Sequence, residues 1–575
     1  MQRPWLEHYP DGVPHTVEVP DEPLSAILER AGARWPDRVA VDFLGATVTY
    51  AGLLARVRQA AAALAGLGVR PGDRVAIAVP NSTSHVVAFH AVVLLGAVVV
   101  ELNPTYTKDE LSHLLADCDP TVVLAWRHIA GVVEEAARGT AVRHVVCVDI
   151  AKDLPTSARL LLHLPVKAAR EKEAALGGDV PPGLAHWHTL LDAARKAGPQ
   201  HAPGPSPATG DDIALLQYTG GTTGTPKAAI LLHRNLSANV RQGQAWAAFA
   251  EGDEVVYGVL PFFHAFGMLF CLLLPAYVGA TLVAFPNFDP AQVAATTRRR
   301  PATFLPGVAP MFPRICAAAE KKGPKAVTAL RSVRLGFAGA MPISEEVTAQ
   351  WERVTGGLLI EGYGMTECSP IALGNPCAPT RRPGTLGIPF PSTDIRVVDQ
   401  EDPTRDAEPD EAGDRRGELL VRGPQVFTGY WNRPDETAAQ LTDDGWLHTG
   451  DIVVADADGW VRLVDRVKEM IIVGGFKVYP SQVEDHLRTM PGVRDVAVIG
   501  IPAAGRHEEK VVAAVVLESP STSLDLEAVR AWGEQRLPRY ALPRGLVVVD
   551  ELPRSQIGKV LRRVVRDQVL AEHAG

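Results

Sequence analysis

Cysteine is scarce in this chain. Its six residues, Cys118, Cys147, Cys271, Cys316, Cys368 and Cys377, are scattered over 575 positions, with no Cys-x-x-Cys pair and no companion histidine spacing. That distribution argues against a disulfide framework and against a zinc site, and fits a reducing compartment. An excess of basic charge is also missing. Lys and Arg number 57 against 66 Asp and Glu, a net charge of -9, and no basic stripe gathers them, so no nucleic-acid partner is expected. The first residues, Met1-Gln2-Arg3-Pro4-Trp5-Leu6, lack the apolar core of a signal peptide, and a cytoplasmic location is expected. Ala265 to Phe285 runs 21 residues without a charge, long enough to cross a bilayer. Gly267, Pro275, Gly279 and Thr281 divide it, however, into a short apolar helix and the strand-like Ala280 to Phe285, which predicts a buried helix-strand unit instead.

What is present is alternation. Leu24 to Ala33 reads as an amphipathic helix, Val39 to Phe43 and Thr47 to Tyr50 as a hairpin around Gly45, and Ala51 to Leu67 as a helix. Arg74 to Val79 reads as a strand, Ser84 to Leu95 as a helix and Val98 to Leu102 as a strand. Such alternation predicts an α/β protein with helix-covered parallel sheets, and the length is too great for one core. Between Ala151 and Pro207 the pattern loosens. Leu154, Leu160, Leu161, Leu162 and Leu164 precede the mixed-charge Lys167 to Lys172. This stretch reads as a surface arm, and its apolar residues beside Lys and Arg leave room for peripheral contact with the inner face of a membrane.

The densest chemical signal is Gln217 to Lys227, Gln-Tyr-Thr-Gly-Gly-Thr-Thr-Gly-Thr-Pro-Lys. Gly220, Gly221 and Gly224 permit positive φ and close approach to a ligand, while Thr219, Thr222, Thr223 and Lys227 supply donors for phosphate oxygens. A Walker loop would need lysine directly after the last glycine and a hydroxyl next. Here Thr225-Pro226 intervene and Ala228 follows, so the motif is a different phosphate cradle. A plain surface turn would not need four threonines and a lysine.

Other polar groups fall at predicted strand ends, where α/β sheets bind ligands. His264 ends Pro261-Phe262-Phe263-His264. The strand Leu358-Leu359-Ile360-Glu361 runs into Gly362-Tyr363-Gly364-Met365-Thr366-Glu367: Tyr363 can stack on a base, Thr366 can reach a phosphate, and Glu367 is a hard oxygen ligand suited to magnesium. Asp451 offers a carboxylate to ribose hydroxyls, and Asp465-Arg466-Val467-Lys468 is expected to follow another strand.

In this order, Gln217 to Lys227, Tyr363 to Glu367, Thr449 to Asp451, Asp465 to Lys468 and Pro553-Arg554-Ser555-Gln556-Ile557-Gly558-Lys559 resemble the adenylate-forming superfamily of acyl-CoA synthetases, luciferases and carrier-loading adenylation domains. The run Asp465 to Pro480 is most similar to long-chain fatty acyl-CoA synthetases. The resemblance implies an adenylation domain over residues 1–467, built of two helix-covered sheets and a β-barrel-like subdomain, and a small mobile α+β lid over 468–575. It implies ATP, Mg2+ and coenzyme A as cofactors and co-substrates, a fatty acid as substrate, acyl-AMP as intermediate, and acyl-CoA with AMP as products. It also implies roles: Lys559, Thr366, Glu367 and His264 in catalysis, with Glu367 holding the metal, and Lys468 as the hinge. Thr219, Gly220, Gly221, Thr222, Thr223, Gly224, Lys227, Glu361, Gly362, Tyr363, Gly364, Met365, Asp451 and Arg466 would hold ATP, with Gly339, Ala340 and Met341 in the adenine pocket. Gly474, Gly475 and Phe476 would face the thioester site. A ligase that loads a carrier protein, a synthetase for aryl or short-chain acids, a luciferase-like oxygenase and a non-catalytic sensor are the alternatives, and monomer and homodimer both stay open.

Overall fold

A computed structural model describes residues 3–573 apart from 163, 165–166, 168–170, 172, 174–175, 178–179, 199–202, 220–225, 467–468, 474–475, 503–508, 520–522, 535 and 556–557. The chain packs into two compact units. One comprises Leu6–Asp394 and Arg422–Leu447, the other Met1–Trp5, Ile395–Val421 and His448–Gly575.

The larger unit is built on two sheets. A seven-stranded sheet runs Ala185–His186, His144–Val148, Val122–Trp126, Arg74–Ala78, Val98–Glu101, Ile213–Thr219, Lys227–Leu232 in spatial order. Its central strands are near-continuous runs of Val, Ile, Leu and Ala because parallel strands are covered on both faces. The helix Thr83–Leu94 is buried at every position, so it carries apolar residues all round rather than a stripe. Its start is fixed by Ser82, whose hydroxyl accepts from the His85 amide. Only the last strand, Lys227–Leu232, turns back antiparallel on Ile213–Thr219. The expected phosphate cradle is therefore flanked by two antiparallel strands, with Thr219 opposite Lys227 at its neck.

A nine-stranded sheet runs Ile388–Pro389, Ile371–Gly374, Leu358–Gly364, Leu335–Ala338, Phe304–Gly307, Val255–Gly258, Thr281–Ala284, Val39–Phe43, Ala46–Thr49. Its centre is parallel, which brings the segments after Gly258, Gly307, Ala338 and Gly364 to one carboxyl edge. The charge-free run forms a helix and strand buried at every position but the half-buried Tyr277: Ala265–Gly267, a wider π-turn over Met268–Leu273, Leu274–Val278, and the strand Thr281–Ala284. The predicted helix is present, and its π-turn is a detail that periodicity does not carry. No helix among the described residues is long and apolar enough to cross a membrane.

The second unit contains a four-stranded sheet, Asp394–Val398, Arg415–Arg422, Leu447–Ala455, Val461–Arg466, where a β-barrel-like subdomain was expected. Asp465 and Arg466 fall inside its last strand rather than after it. Beyond lies an α+β body around the strands Val493–Pro502, Glu509–Leu517 and Gly545–Val548. Successive residues of Val493–Pro502 point to opposite faces. Val496 and Val498 pack with Val483, Leu487 and Val529, whereas Ala497 and Ile499 pack with Val565 and Val569 of the helix Arg562–His573.

One side chain ties the two sheets of the larger unit together. Asn81, just past the strand Arg74–Ala78, donates to the carbonyls of Gly258 (3.2 Å) and Leu260 (2.7 Å) and accepts from the Phe262 amide (2.8 Å). All three bonds are buried, so Asn81→Ala should leave unpaired groups and cost about 3 kcal/mol, read as a lowered midpoint in urea unfolding.

Candidate active site

The neck of the cradle is described at Thr219 and Lys227, while Gly220, Gly221, Thr222, Thr223 and Gly224 lie outside the described residues. The hydroxyl of Thr219 donates to the carbonyl of Lys227 (3.3 Å). On the other side of the Lys227 strand, the segment Thr428 to Trp431 joins as a further extended piece. The Ile230 amide donates to the Gly429 carbonyl (2.9 Å) and the Trp431 amide to the Ala228 carbonyl (2.9 Å). This places the Tyr430 ring against Lys227, with the ammonium nitrogen 5.2 Å from the ring centroid, within cation-π range. The same Tyr430 donates its hydroxyl to Oε1 of Glu367 (2.6 Å). Burial, reinforced by the Glu367 charge, raises the Tyr430 pKa, so the phenol remains a donor. Lys227 and Glu367, 140 positions apart in sequence, are thus joined through a tyrosine that carried no recognised motif. Its only local signal is the turn-forming Gly429 ahead of two aromatic residues.

Glu361 to Met365 lead from the strand Leu358–Gly364 into the turn Thr366–Cys368. Two glycines here are sterically obligatory. A Cβ on Gly362 would sit 2.3 Å from the Phe337 ring, and one on Gly364 would sit 1.8 Å from the Pro370 carbonyl oxygen. Between them Tyr363 pairs antiparallel with Leu373. Glu361 lies beside Ala338 in the parallel register, which brings it next to the segment Gly339, Ala340, Met341. Ala340 holds a left-handed φ of 68°, a conformation that costs a non-glycine residue energy and clusters at binding sites. Glu361 accepts from the Gly384 amide (2.9 Å), and burial raises its pKa to about 7 against the lowering effect of the Gly384 and Ile343 amides. Half-buried Thr366 precedes Glu367 in the turn.

His264 stands on the same carboxyl edge. Its Nδ1 accepts from the Phe266 amide (3.3 Å), capping the short helix that follows. Burial drives its pKa down to about 4, so the ring is neutral near pH 7 and serves as a neutral polar group. Gln217, the first residue of the cradle stretch, donates to the carbonyl of Phe263 (2.9 Å). Together with Asn81 it fixes the loop ahead of His264 from both sides. Neither role was visible in the sequence, because each depends on a contact between distant strand ends.

In the other unit, Asp451 and Arg466 are cross-strand partners in register, joined by an ion pair of 3.1 Å. Asp451 is buried, and its amide donates to the Thr449 hydroxyl (3.1 Å). Lys559 is close enough to feel both. Burial first, then the Arg466 charge, lower its pKa to about 8, with Asp451 pulling the other way. A lysine so placed is still mostly charged at pH 7 and is poorly solvated, which strengthens its action on a nearby anion. Lys468, Gly474 and Gly475 lie outside the described residues; Phe476 begins the strand Phe476–Val478, paired with Val473.

The family described as AMP-binding enzyme matches residues 28–431, and the one described as AMP-binding enzyme C-terminal domain matches residues 482–559. The chain is similar to a long-chain-fatty-acid–CoA ligase of Bacillus subtilis, with 33% identity over 573 residues covering 100% of this chain and 99% of the relative. A ligase of the same name from Yersinia pestis is 37% identical over 580 residues, covering 99% and 98%. Among solved structures, ATP-bound MatB from Rhodopseudomonas palustris superposes with a TM-score of 0.76 at 29% identity, over 95% of this chain and 98% of that one. The cradle, the strand-end cluster and the Asp451–Arg466–Lys559 group thus sit in a chain that belongs to the AMP-binding, adenylate-forming enzyme family.

Proposed function

We propose that this protein activates fatty acids as an AMP-forming fatty acid–CoA ligase. A carboxylate oxygen attacks the α-phosphorus of ATP, forming acyl-AMP and releasing pyrophosphate. The sulfur of coenzyme A then attacks the acyl carbonyl, and AMP leaves. The observation that carries this reading is the match to long-chain-fatty-acid–CoA ligases over the whole chain.

The residues suit the two steps. Lys227 and the cradle hydroxyls hold the β- and γ-phosphates, and Tyr363 with Gly339 to Met341 borders the adenine. Asp451 takes the ribose hydroxyls, with Arg466 holding its carboxylate in place. Thr366 reaches a phosphate oxygen. Neutral His264 lines the acid side. Glu367 is a buried carboxylate already oriented by Tyr430, a fit for Mg2+, which is commonly held by one or two carboxylates together with substrate phosphates. When bound, Mg2+ supplies charge neutralisation on the departing pyrophosphate. Lys559 places its positive charge between the two anions that must meet, and a charge about 4 Å away is worth roughly 4 kcal/mol at an effective dielectric near 20. We assign residues 1–467 to adenylation and 468–575 to a lid that turns about Lys468, presenting Gly474, Gly475 and Phe476 for thioester formation.

Lys559→Ala should lower fatty-acid-dependent ATP–pyrophosphate exchange about a hundred- to a thousandfold, or about 2.7 to 4 kcal/mol; unchanged exchange would remove the residue from the mechanism. Because its pKa lies near 8, the charge is present below that pH and lost above it. Exchange in the unaltered enzyme should therefore decline as the pH rises through about 8. Thioester formation without any need for coenzyme A would instead favour the carrier-loading alternative.

A second observation bears on location. Leu160 and Leu161 on the helix Thr156–Leu162 are 66% and 59% exposed, with Leu164 at 45%, beside Lys152, Arg159 and Lys167. Exposed leucines with flanking cations suit peripheral binding to an anionic membrane. Replacing Leu160 and Leu161 by Ser should reduce co-sedimentation with phosphatidylglycerol vesicles and leave pyrophosphate exchange in solution unchanged. Equal sedimentation of both forms would refute membrane contact through this helix.

A further inference from the structure

Lys559 is carried by a short turn whose anchoring is set elsewhere. The turn closes on itself: the Ser555 amide donates to the Lys559 carbonyl (2.8 Å), and the Lys559 amide donates to the Ser555 hydroxyl (3.2 Å). Arg554 bridges to Val560 and forms an ion pair with Asp495. Nothing in those bonds fixes the turn against the helix Pro480–Arg488, yet three residues after Lys559 the guanidinium of Arg562 does so. Its Nε and Nη2 donate to the two carboxylate oxygens of Glu484 at 2.8 and 2.7 Å, a bidentate fork. Nη2 also donates to the Ser481 hydroxyl (3.1 Å), and Nη1 pairs with Glu469. Glu484 is held from behind, since its Oε1 accepts the Val498 amide (2.8 Å), and it is only 3% exposed. One guanidinium therefore joins the start of the last helix, the first turn of Pro480–Arg488 and the residue directly after Lys468.

We propose that Glu484, acting through the Arg562 fork, is a positioning residue that sets where the Lys559 ammonium stands during adenylation. This rests on the role given to Lys559 above. A buried carboxylate bound by a fork, a backbone amide and the adjacent Arg488 has one geometry available, and the guanidinium plane passes that geometry to the segment three residues from Lys559. Glu469 on the same guanidinium ties the segment directly after Lys468 to the anchor that follows Lys559. In the two-step reading above Lys559 acts in adenylation, so a positioning role predicts damage to that half-reaction and not to thioester formation.

The test measures both half-reactions in the full-length enzyme. Adenylation is read as hexadecanoate-dependent ATP–pyrophosphate exchange, and thioester formation from supplied hexadecanoyl-AMP and coenzyme A. Glu484→Gln keeps the volume and an oxygen for the Val498 amide but breaks the charged fork. Arg562→Lys keeps the charge and cannot form a fork. Both should lose exchange about ten- to a hundredfold, the scale of a misplacement of about 1 Å, and form thioester from acyl-AMP within about twofold of the unaltered enzyme. If Glu484→Gln does not fold, Arg562→Lys gives the same comparison. Unchanged exchange, or equal loss of both half-reactions, in a variant with a normal circular dichroism spectrum overturns the proposal. Lys559→Ala is assayed alongside: full exchange there would mean that the role of Lys559 itself is wrong, whereas its loss with intact exchange in Glu484→Gln refutes the positioning role alone.

Discussion

The pairing of Lys227–Leu232 with the segment that ends at Trp431 is the constraint on which the proposed phosphate-binding end of the site depends. Ordering backbone costs free energy, most of all at glycine, so a glycine-rich ligand loop gains from firmly held flanks. Here its exit strand is bonded on one edge to Ile213–Thr219 and on the other to the Gly429 and Trp431 backbones. The neck is thus fixed by main-chain bonds, which do not depend on the identity of the side chains between them. Tyr430, set down by that same backbone, then reaches Lys227 with its ring and Glu367 with its hydroxyl. A single residue thus orients both the Lys227 ammonium and the Glu367 carboxylate, the groups proposed above for phosphate and for a metal.

Electrostatics divides the charged residues into those that keep their charge at neutral pH and those that do not. Burial holds His264, like His90 and His233, near a pKa of 4, and these rings are neutral through the physiological range. Below an unfolded pKa of about 6.5 the unfolded chain binds protons that the folded one refuses, so each ring withdraws stability as the pH falls toward 4. Glu361 moves the opposite way, up to about 7. Its contribution is present in acid and is lost as the pH rises from about 4.5 through 7. Opposed tendencies in one pH window make the acid behaviour of the larger unit a balance, with no single titration controlling it.

Much of the fold could be read directly from the sequence. Val39–Phe43, Arg74–Ala78 and Val98–Glu101 fall within a residue of their expected limits, because buried parallel strands are apolar runs bounded by polar or glycine residues, whereas Leu358–Gly364 continues three residues past Glu361 through the two glycines. The charge-free run was resolved by its internal glycines and proline. What could not be read was everything that depends on tertiary adjacency. Asn81 looks like an ordinary helix-entry residue, and its three bonds to the loop after Gly258 arise only once two sheets are in place. Tyr430 lies in no repeating pattern. Arg562 and Glu484 are two charged residues 78 positions apart, and in a one-dimensional reading each is a solvated helix residue. Asp451 and Arg466 were found separately by motif, but their cross-strand pairing is a matter of register that composition does not state.

The motif around Tyr363 is the most legible of all, and its sterics say why. At positions 362 and 364 any Cβ would enter the Phe337 ring or the Pro370 carbonyl. Every glycine codon shares its first two bases, and each single change at either of them either introduces a side chain or ends the chain. At these two positions the genetic code therefore offers no neutral step: only silent third-base changes leave the strand end intact, and the space of tolerated sequences closes to one letter on either side of the tyrosine.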